Sequence, residues 1–315
     1  MKKLSFVIPC YNSQNTIGQV VDEIIETVGT RNEYDYEIIL VNDSSPDDVF
    51  KTITKLAEKN KRIKGIDLAR NFGQHSAIMA GFNYVTGDIV VCLDDDGQTP
   101  ASEMFSLIDK LDENDLVFAK YKDKKHSAFR NMGSKINDKM AQWLIGKPKK
   151  LKIMSYFACK RFVIDEVVRY KNSYPYISGL LLRVTNKVDN VEVNHRERIE
   201  GSSGYTIKKL FLLWINGFTA FSVKPLRIAT FIGCITAIIG FIYGLTVVIN
   251  KLVNPLAPIG YSSMMSVLLF VGGMIMLLLG MIGEYVGRTY ISLNDAPQYV
   301  VRTALNVEEC ENEEE

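Results

Sequence analysis

Short, mostly apolar runs alternate with segments of helical apolar spacing through the first hundred residues. Leu4–Ile8 is a run of the first kind, stopped by Pro9. Ile17, Val20, Val21, Ile24, Ile25 and Val28 then mark one face of a helix over Thr16–Val28. Glu37–Val41 is a second β-branched run, ending in the turn chemistry of Asn42-Asp43-Ser44-Ser45-Pro46-Asp47. A helix bearing Val49, Ile53, Leu56 and Ala57 follows, then a strand over Lys64–Leu68 and a helix over Ser76–Val85. A fourth strand, Ile89–Leu93, runs into Asp94-Asp95-Asp96. Strands separated by helices of this length predict an α/β fold with a mostly parallel sheet covered on both faces. Ligands of such sheets sit beyond the carboxyl ends of the strands. The polar clusters Pro9–Asn12, Asn42–Asp47 and Asp94–Gln98 all fall there.

Beyond Arg227 the pattern changes. Residues 228–250 carry no charge, and neither do residues 252–283. Each stretch reaches the about 20 residues needed to cross a bilayer. Pro255, Pro258 and Gly260 break the start of the second. The reading is a first span at 228–250, a loop at 251–262 and a second span at 263–287. Gly272, Gly273, Gly280, Gly283 and Gly287 give the second span a small-residue face, which fits helix packing or simple tolerance of glycine in membranes. Lys208, Lys209, Lys224 and Arg227 precede the first span, Arg288 and Arg302 follow the second, and the loop holds only Lys251. The positive-inside rule then predicts an integral protein of the cytoplasmic (inner) membrane, with residues 1–205 and both termini cytosolic and the loop outside. Residues 206–227, with Lys208, Lys209, Trp214 and Asn216, read as a juxtamembrane helix on the cytosolic leaflet or as a helix packed on the soluble domain. Residues 288–315 read as a cytosolic acidic tail.

Composition narrows the classes. With 47% hydrophobic residues and a net charge of +1 over 315 residues, the chain is not collagen-like, disordered or a disulfide scaffold. Cys10, Cys92, Cys159, Cys234 and Cys310 are scattered, so neither a zinc site nor a disulfide framework is indicated and a reducing compartment is the simple reading. Met1-Lys2-Lys3 resembles the start of a signal peptide, but the apolar run behind it is shorter than the roughly 7–15 residues such a segment needs. Six glutamates lie within the last eight positions, leaving a mildly basic body. That suits an anionic membrane surface or phosphate-bearing ligands and is too weak for nucleic acid. No GxGxxG follows a strand and no GxxxxGK[ST] occurs, which argues against a dinucleotide site and a P-loop.

Three adjacent carboxylates at a strand end repel one another unless a cation lies between them. An oxygen-liganded Mg²⁺ or Mn²⁺ would meet that need, with Asp94 and Asp96 as the pair on one side of the turn. A solvated acidic turn is the bland alternative, disfavoured by the two other polar strand ends beside it. Asp43 is either a turn and capping residue or a carboxylate that accepts hydrogen bonds from a base or ribose.

Val7-Ile8-Pro9-Cys10-Tyr11-Asn12, Leu40-Val41-Asn42-Asp43-Ser44-Ser45 and Asp94–Gln98 together resemble the nucleotide-sugar site of family-2 glycosyltransferases with the GT-A fold. Ala69-Arg70-Asn71-Phe72-Gly73-Gln74 is similar to the RNFGK-type segment of the polyprenyl-phosphate members, which include dolichol-phosphate mannose synthase and the bactoprenol glucosyl transferases. Arg198 with Gly201, Ser203 and Tyr205, then Phe221-Ser222 with Pro225-Leu226-Arg227, and finally Gly283-Glu284-Tyr285-Val286-Gly287-Arg288 resemble further segments of that group, in order. The resemblance implies a GT-A catalytic domain followed by an interfacial helix and two transmembrane helices. It implies an inverting transferase that moves a hexose from a UDP- or GDP-sugar to a polyprenyl phosphate on the cytosolic leaflet. Pro9, Tyr11, Asp43, Asp94 and Gln98 would bind the nucleotide sugar, and Asp94 and Asp96 would hold the metal. Asp96, Arg130 and Arg198 would be catalytic, the arginines gripping phosphate oxygens. A homo-oligomer is compatible with the pattern.

The chain departs from the family at several positions. Ser13 stands for a usual Glu, Asn42 for an Asp, Thr99 for an acidic residue and Gly204 for a Lys. Met154-Ser155-Tyr156-Phe157 replaces a segment in which bacterial glucosyl members carry an Asp proposed as base. A phosphate monoester is largely dianionic at neutral pH, its second pKa being about 6, so the acceptor needs positioning more than deprotonation. From sequence, Ser155→Ala should therefore leave most turnover intact. Two other readings are a processive polysaccharide synthase, against which stand the missing QxxRW segment and the small number of spans, and a non-catalytic membrane scaffold that keeps the fold.

Overall fold

The computed structural model describes residues 1–121, 146–194, 224–254, 260–293 and 296–307, with Lys139 and Gln142. The chain divides into two compact units, Met1–Tyr205 with Asp295–Glu315, and Thr206–Asn294.

In the first unit β1 (Lys2–Cys10), α1 (Ile17–Val28), β2 (Tyr34–Asn42), α2 (Val49–Lys59), β3 (Ile63–Leu68), α3 (Gln74–Phe82) and β4 (Ile89–Cys92) alternate as the periodicity predicts. They are followed by α4 (Met104–Asp109), β5 (Leu116–Tyr121), β6 (Phe157–Lys160), α5 (Arg161–Val167), α6 (Ile177–Val184) and β7 (Val188–Val193). A last strand, β8 (Val301–Leu305), belongs to the same unit. Among the described residues the sheet has eight strands in the order β7-β5-β6-β4-β1-β2-β3-β8. The pairs β4–β1, β1–β2 and β2–β3 are parallel, while β6 and β8 run antiparallel to their neighbours.

The core follows from the pattern. Ile17, Val20, Val21, Ile24 and Val28 bury one face of α1, and Phe6, Ile8, Ile38 and Leu40 are wholly buried beneath. α3 is instead buried from Ser76 through Phe82, which its small residues permit. A Cβ at Gly81 would stand 2.5 Å from Val7 Cγ1, so the helix lies directly on the sheet.

Two consequences of topology position the site. Successive strands step outward from β1 to β3 before β4 returns to the other side of β1, so the order reverses between β1 and β4. A crevice at the carboxyl ends opens at such a reversal. In addition, Cys92 pairs with Phe157 across the antiparallel β4–β6 ladder, so the residues just before Phe157 lie beside those just after Cys92.

The second unit holds α7 (Lys224–Val253) and α8 (Tyr261–Leu293). Ala229–Asn250 and Phe270–Gly287 within them are long and apolar enough to cross a membrane. Large apolar side chains such as Phe231, Phe241 and Met276 are exposed along them, as lipid-facing helices require. Both helices extend into the expected 251–262 connection. Residues 206–223 of the expected juxtamembrane helix, and 308–315 of the tail, lie outside the described residues. The expected tail at 288–315 is interrupted by β8, whose alternating Val-Arg-Thr-Ala-Leu pattern is masked by the glutamates behind it.

Candidate functional site

Three strand ends converge on the reversal crevice. β1 ends in Cys10-Tyr11-Asn12, with Asn12 in the left-handed region at φ 56°. β2 ends in Asn42-Asp43-Ser44, with Ser44 at φ 50°. Non-glycine residues hold that conformation at a cost and cluster at functional sites. The two turns are stitched together. Asn12 N donates to Ser45 Oγ at 2.8 Å, Gln14 N to Asp47 Oδ2 at 3.0 Å, and Asp43 N to Cys10 O at 3.1 Å.

The acidic run is divided by its partners. Asp95 turns toward β1, accepting from Tyr11 N at 2.9 Å, while its carbonyl accepts from Thr16 Oγ1 at 2.7 Å. This bond crosses the crevice between β1 and β4. Asp94 turns the other way. Gln74 Nε2 donates to its Oδ1 at 3.0 Å and Ser155 Oγ to its Oδ2 at 2.5 Å. Asp96 Oδ1 accepts from Gln98 N at 3.0 Å, around the turn at Gly97. Burial lifts the Asp94 carboxyl to about 6, against the two hydrogen bonds, and the like charges of Asp96 and Asp95 add to the lift. Asp95 is raised as well, chiefly by burial. Tyr121, at the end of β5, is raised by burial and then by the charges of Asp94 and Asp96.

Asp43 is buried, and its two oxygens accept from the amides of Phe72 at 2.7 Å and Gly73 at 2.9 Å. Burial raises its pKa and these two bonds oppose the rise. In this structure Asp43 thus organises the Ala69–Gly73 loop that leads into α3.

Of the residues expected from sequence, Tyr11, Asp43, Asp94, Asp96 and Gln98 surround this edge. Tyr11 is half-exposed, and Pro9 is buried within β1 opposite Val41. Arg130 and Arg198 lie outside the described residues. The structure adds Gln74, Asp95, Tyr121 and Ser155. Ser13, which replaces a usual Glu, is buried.

Among the described residues no three carboxylate, histidine or cysteine side chains form a ready-made metal cage. Asp94 and Asp96 remain two oxygen donors whose mutual repulsion a cation would relieve. That suits Mg²⁺ or Mn²⁺, which commonly take one or two carboxylates and complete their shell with substrate phosphates and water.

Comparison with known proteins identifies the family of the fold. Residues 5–168 match the model of glycosyl transferase family 2, and residues 224–289 match the GtrB C-terminal hairpin. The undecaprenyl-phosphate 4-deoxy-4-formamido-L-arabinose transferase of Klebsiella pneumoniae (strain 342) is 32% identical, covering 100% of this chain and 97% of its own. The prophage bactoprenol glucosyl transferase homolog of Escherichia coli (strain K12) is also 32% identical, covering 95% of this chain and 98% of its own. A solved structure of glucosyl-3-phosphoglycerate synthase from Mycobacterium tuberculosis, bound to Mn²⁺, UDP-glucose and phosphoglyceric acid, superposes with a TM-score of 0.53 at 18% identity. It covers 70% of this chain and 78% of its own, and bears out the GT-A expectation for the fold. A family match over more than half the chain, joined to relatives aligned along nearly all of it, shows that the chain belongs to glycosyl transferase family 2 and is a glycosyltransferase.

Proposed function

We propose that the enzyme transfers a hexose from a nucleoside diphosphate sugar to a polyprenyl phosphate, with inversion, at the cytosolic face of a membrane. One observation carries the reading: a carboxylate-bearing strand edge in a family-2 glycosyltransferase fold shares its chain with two apolar helices of bilayer length. One substrate is then water-soluble and the other lipid. The names of the aligned relatives, which specify undecaprenyl phosphate and bactoprenol, support the acceptor class.

In this reading the turns after β1 and β2 receive the nucleoside, with Tyr11 and Asp43 nearest to it. Asp94 and Asp96 would hold a divalent cation, which supplies charge neutralisation for the departing nucleoside diphosphate. Gln74 and Ser155 fix the Asp94 carboxylate so that it does not reorganise as charge develops. Arg130 and Arg198 are proposed to place the acceptor phosphate, a dianion that attacks the anomeric carbon as the glycosidic bond to the diphosphate breaks. A single displacement of this kind inverts the anomeric centre. The distribution of Lys224, Arg227, Arg288 and Lys251 supports a cytosolic catalytic unit.

Membranes containing the enzyme, incubated with radiolabelled UDP- and GDP-hexoses and a short polyprenyl phosphate in Mn²⁺, should yield a labelled lipid. Asp96→Asn should abolish it. Transfer to water-soluble acceptors alone would overturn the lipid assignment, and full activity of Asp96→Asn would overturn the assigned edge.

A further inference from the structure

Beyond the second apolar helix the chain returns to the catalytic unit as β8, paired antiparallel with β3. Its register shifts, so that Asp67 faces Thr303 while Leu68 faces Val301. Arg302 is therefore an extra residue, unmatched in β3. A bulge of this kind bends a strand and re-aims the side chain it carries. Arg302 Nη2 donates to the Ala69 carbonyl at 2.7 Å, and Nη1 lies 3.4 Å from Asp67 Oδ2. The Ala69 amide donates to Val300 O at 2.8 Å. Both backbone polar groups of Ala69 thus end on β8 or on Val300 just before it.

Two short paths lead from these contacts to the nucleotide side of the site. Ala69 opens the loop whose Phe72 and Gly73 amides grip Asp43. Asp67, buried, uses its other oxygen to accept from Asn42 Nδ2 at 2.7 Å. Asn42 Oδ1 in turn accepts from Ser45 N at 3.0 Å, and Ser45 Oγ receives the Asn12 amide. Burying a carboxylate without a partner is costly, and Arg302 stands beside Asp67 as a positively charged one.

We infer that Arg302 is a positioning residue for the donor: by holding Ala69 and Asp67 it sets the Asp43 loop and the β1–β2 turns in the shape that receives the nucleoside diphosphate. The inference rests on the nucleotide reading of that edge. Arg302 itself touches no substrate.

The test uses the full-length protein in detergent, titrated calorimetrically with UDP and, separately, GDP in the presence of Mn²⁺. Arg302→Ala should weaken binding of the preferred nucleotide roughly tenfold, the effect of one charge-assisted hydrogen bond. It should raise KM for the donor with kcat little changed and accelerate hydrogen exchange in the 69–73 peptide. Arg302→Lys, which keeps a single donor toward Ala69, should recover part of the affinity. Asn306→Ala is the control for mere loss of the strand, because Asn306 Nδ2 anchors the far end of β8 on Ala57 O at 2.6 Å and Ile63 O at 2.8 Å. It should lower Tm while leaving nucleotide affinity unchanged. Wild-type affinity in Arg302→Ala overturns the inference, as does an equal affinity loss in Asn306→Ala at equal Tm. An Asp43→Ala arm separates the two levels. If that variant binds like wild type, or if wild type binds neither nucleotide, the site reading fails. If Asp43→Ala loses binding and Arg302→Ala does not, only the role of Arg302 fails.

Discussion

Removal of the Ser155 hydroxyl is the sharpest probe of the acidic edge. The family resemblance implies a carboxylate where this serine stands, and the reading from sequence treats its loss as harmless. The structure gives it a task, since Ser155 donates at 2.5 Å to one oxygen of Asp94 while Gln74 holds the other. The Asp94 carboxyl already stands at about 6 through burial and the like charges of Asp96 and Asp95, and the two donors are what hold it down. A hydrogen bond to a buried charge contributes about 1.5–3 kcal/mol, and each pKa unit corresponds to about 1.4 kcal/mol. Ser155→Ala should therefore raise Asp94 by about one unit or more. The sign follows directly: the site uses the ionised form, so a higher pKa depletes it at neutral pH. The assay is the pH–rate profile of lipid-linked sugar formation at one fixed Mn²⁺ concentration, because a bound cation lowers the acid limb for both proteins. The limb should move to higher pH by about one unit, with roughly tenfold less activity below it and recovery in alkaline buffer. An unchanged profile would refute the reasoning and restore the sequence-based expectation.

Two predictions concern stability away from the site. Glu37 is buried at the opposite end of β2, where burial would raise its pKa. Hydrogen bonds from Ser5, Lys64 and Thr86 outweigh that and lower it to about 2, and Lys3 Nζ adds an ion pair at 3.1 Å. The stabilisation, of order 3 kcal/mol, should be fully present above about pH 4.5 and disappear as pH falls toward 2. Glu37→Gln should lower the denaturation midpoint at pH 7 and flatten that acid dependence. Gly81→Ala should destabilise the catalytic unit by about 1–3 kcal/mol through its clash with Val7, read as a lower Tm; an unchanged Tm would mean that α3 can lift off the sheet.

Local pattern carried the parallel half of the fold because every step there is short-range. An apolar run, a turn and an amphipathic helix each announce themselves within a dozen residues, and the topological rule for parallel sheets then locates the ligand edge. What remained hidden depends on pairing between distant segments. Ser155 meets Asp94 only because β6 runs antiparallel to β4 in the register Cys92 to Phe157. Alternation along the turn suggests Asp94 and Asp96 as a pair, but gives no sign that Asp95 would bond to Tyr11 at the end of β1. Gln74 sat inside a recognised motif without a visible partner. β8 was lost altogether, since a five-residue edge strand beside a run of glutamates has the composition of a tail.

These hidden contacts share a logic that bears on catalysis. The carboxylates of the edge fall into two kinds. Asp43 and Asp95 are each bonded to backbone amides and brace the turns against one another. Asp94 is bonded only by side chains in the contacts that define it, and Asp96 by the amide of its own turn. Asp43 and Asp95 accept from amides of other segments, which cannot be withdrawn without moving those segments, so both are fixed parts of the frame. Each Asp94 oxygen keeps a lone pair beyond the bond it accepts, so in the proposed function Asp94 would meet a cation with Gln74 and Ser155 still in place. The frame must then be rigid enough that taking up a cation adds a ligand and does not change loop shape. Charge repulsion among three adjacent aspartates would otherwise open the turn, and it is the bond from Tyr11 to Asp95, drawn across the reversal between β1 and β4, that keeps the middle carboxylate out of the competition.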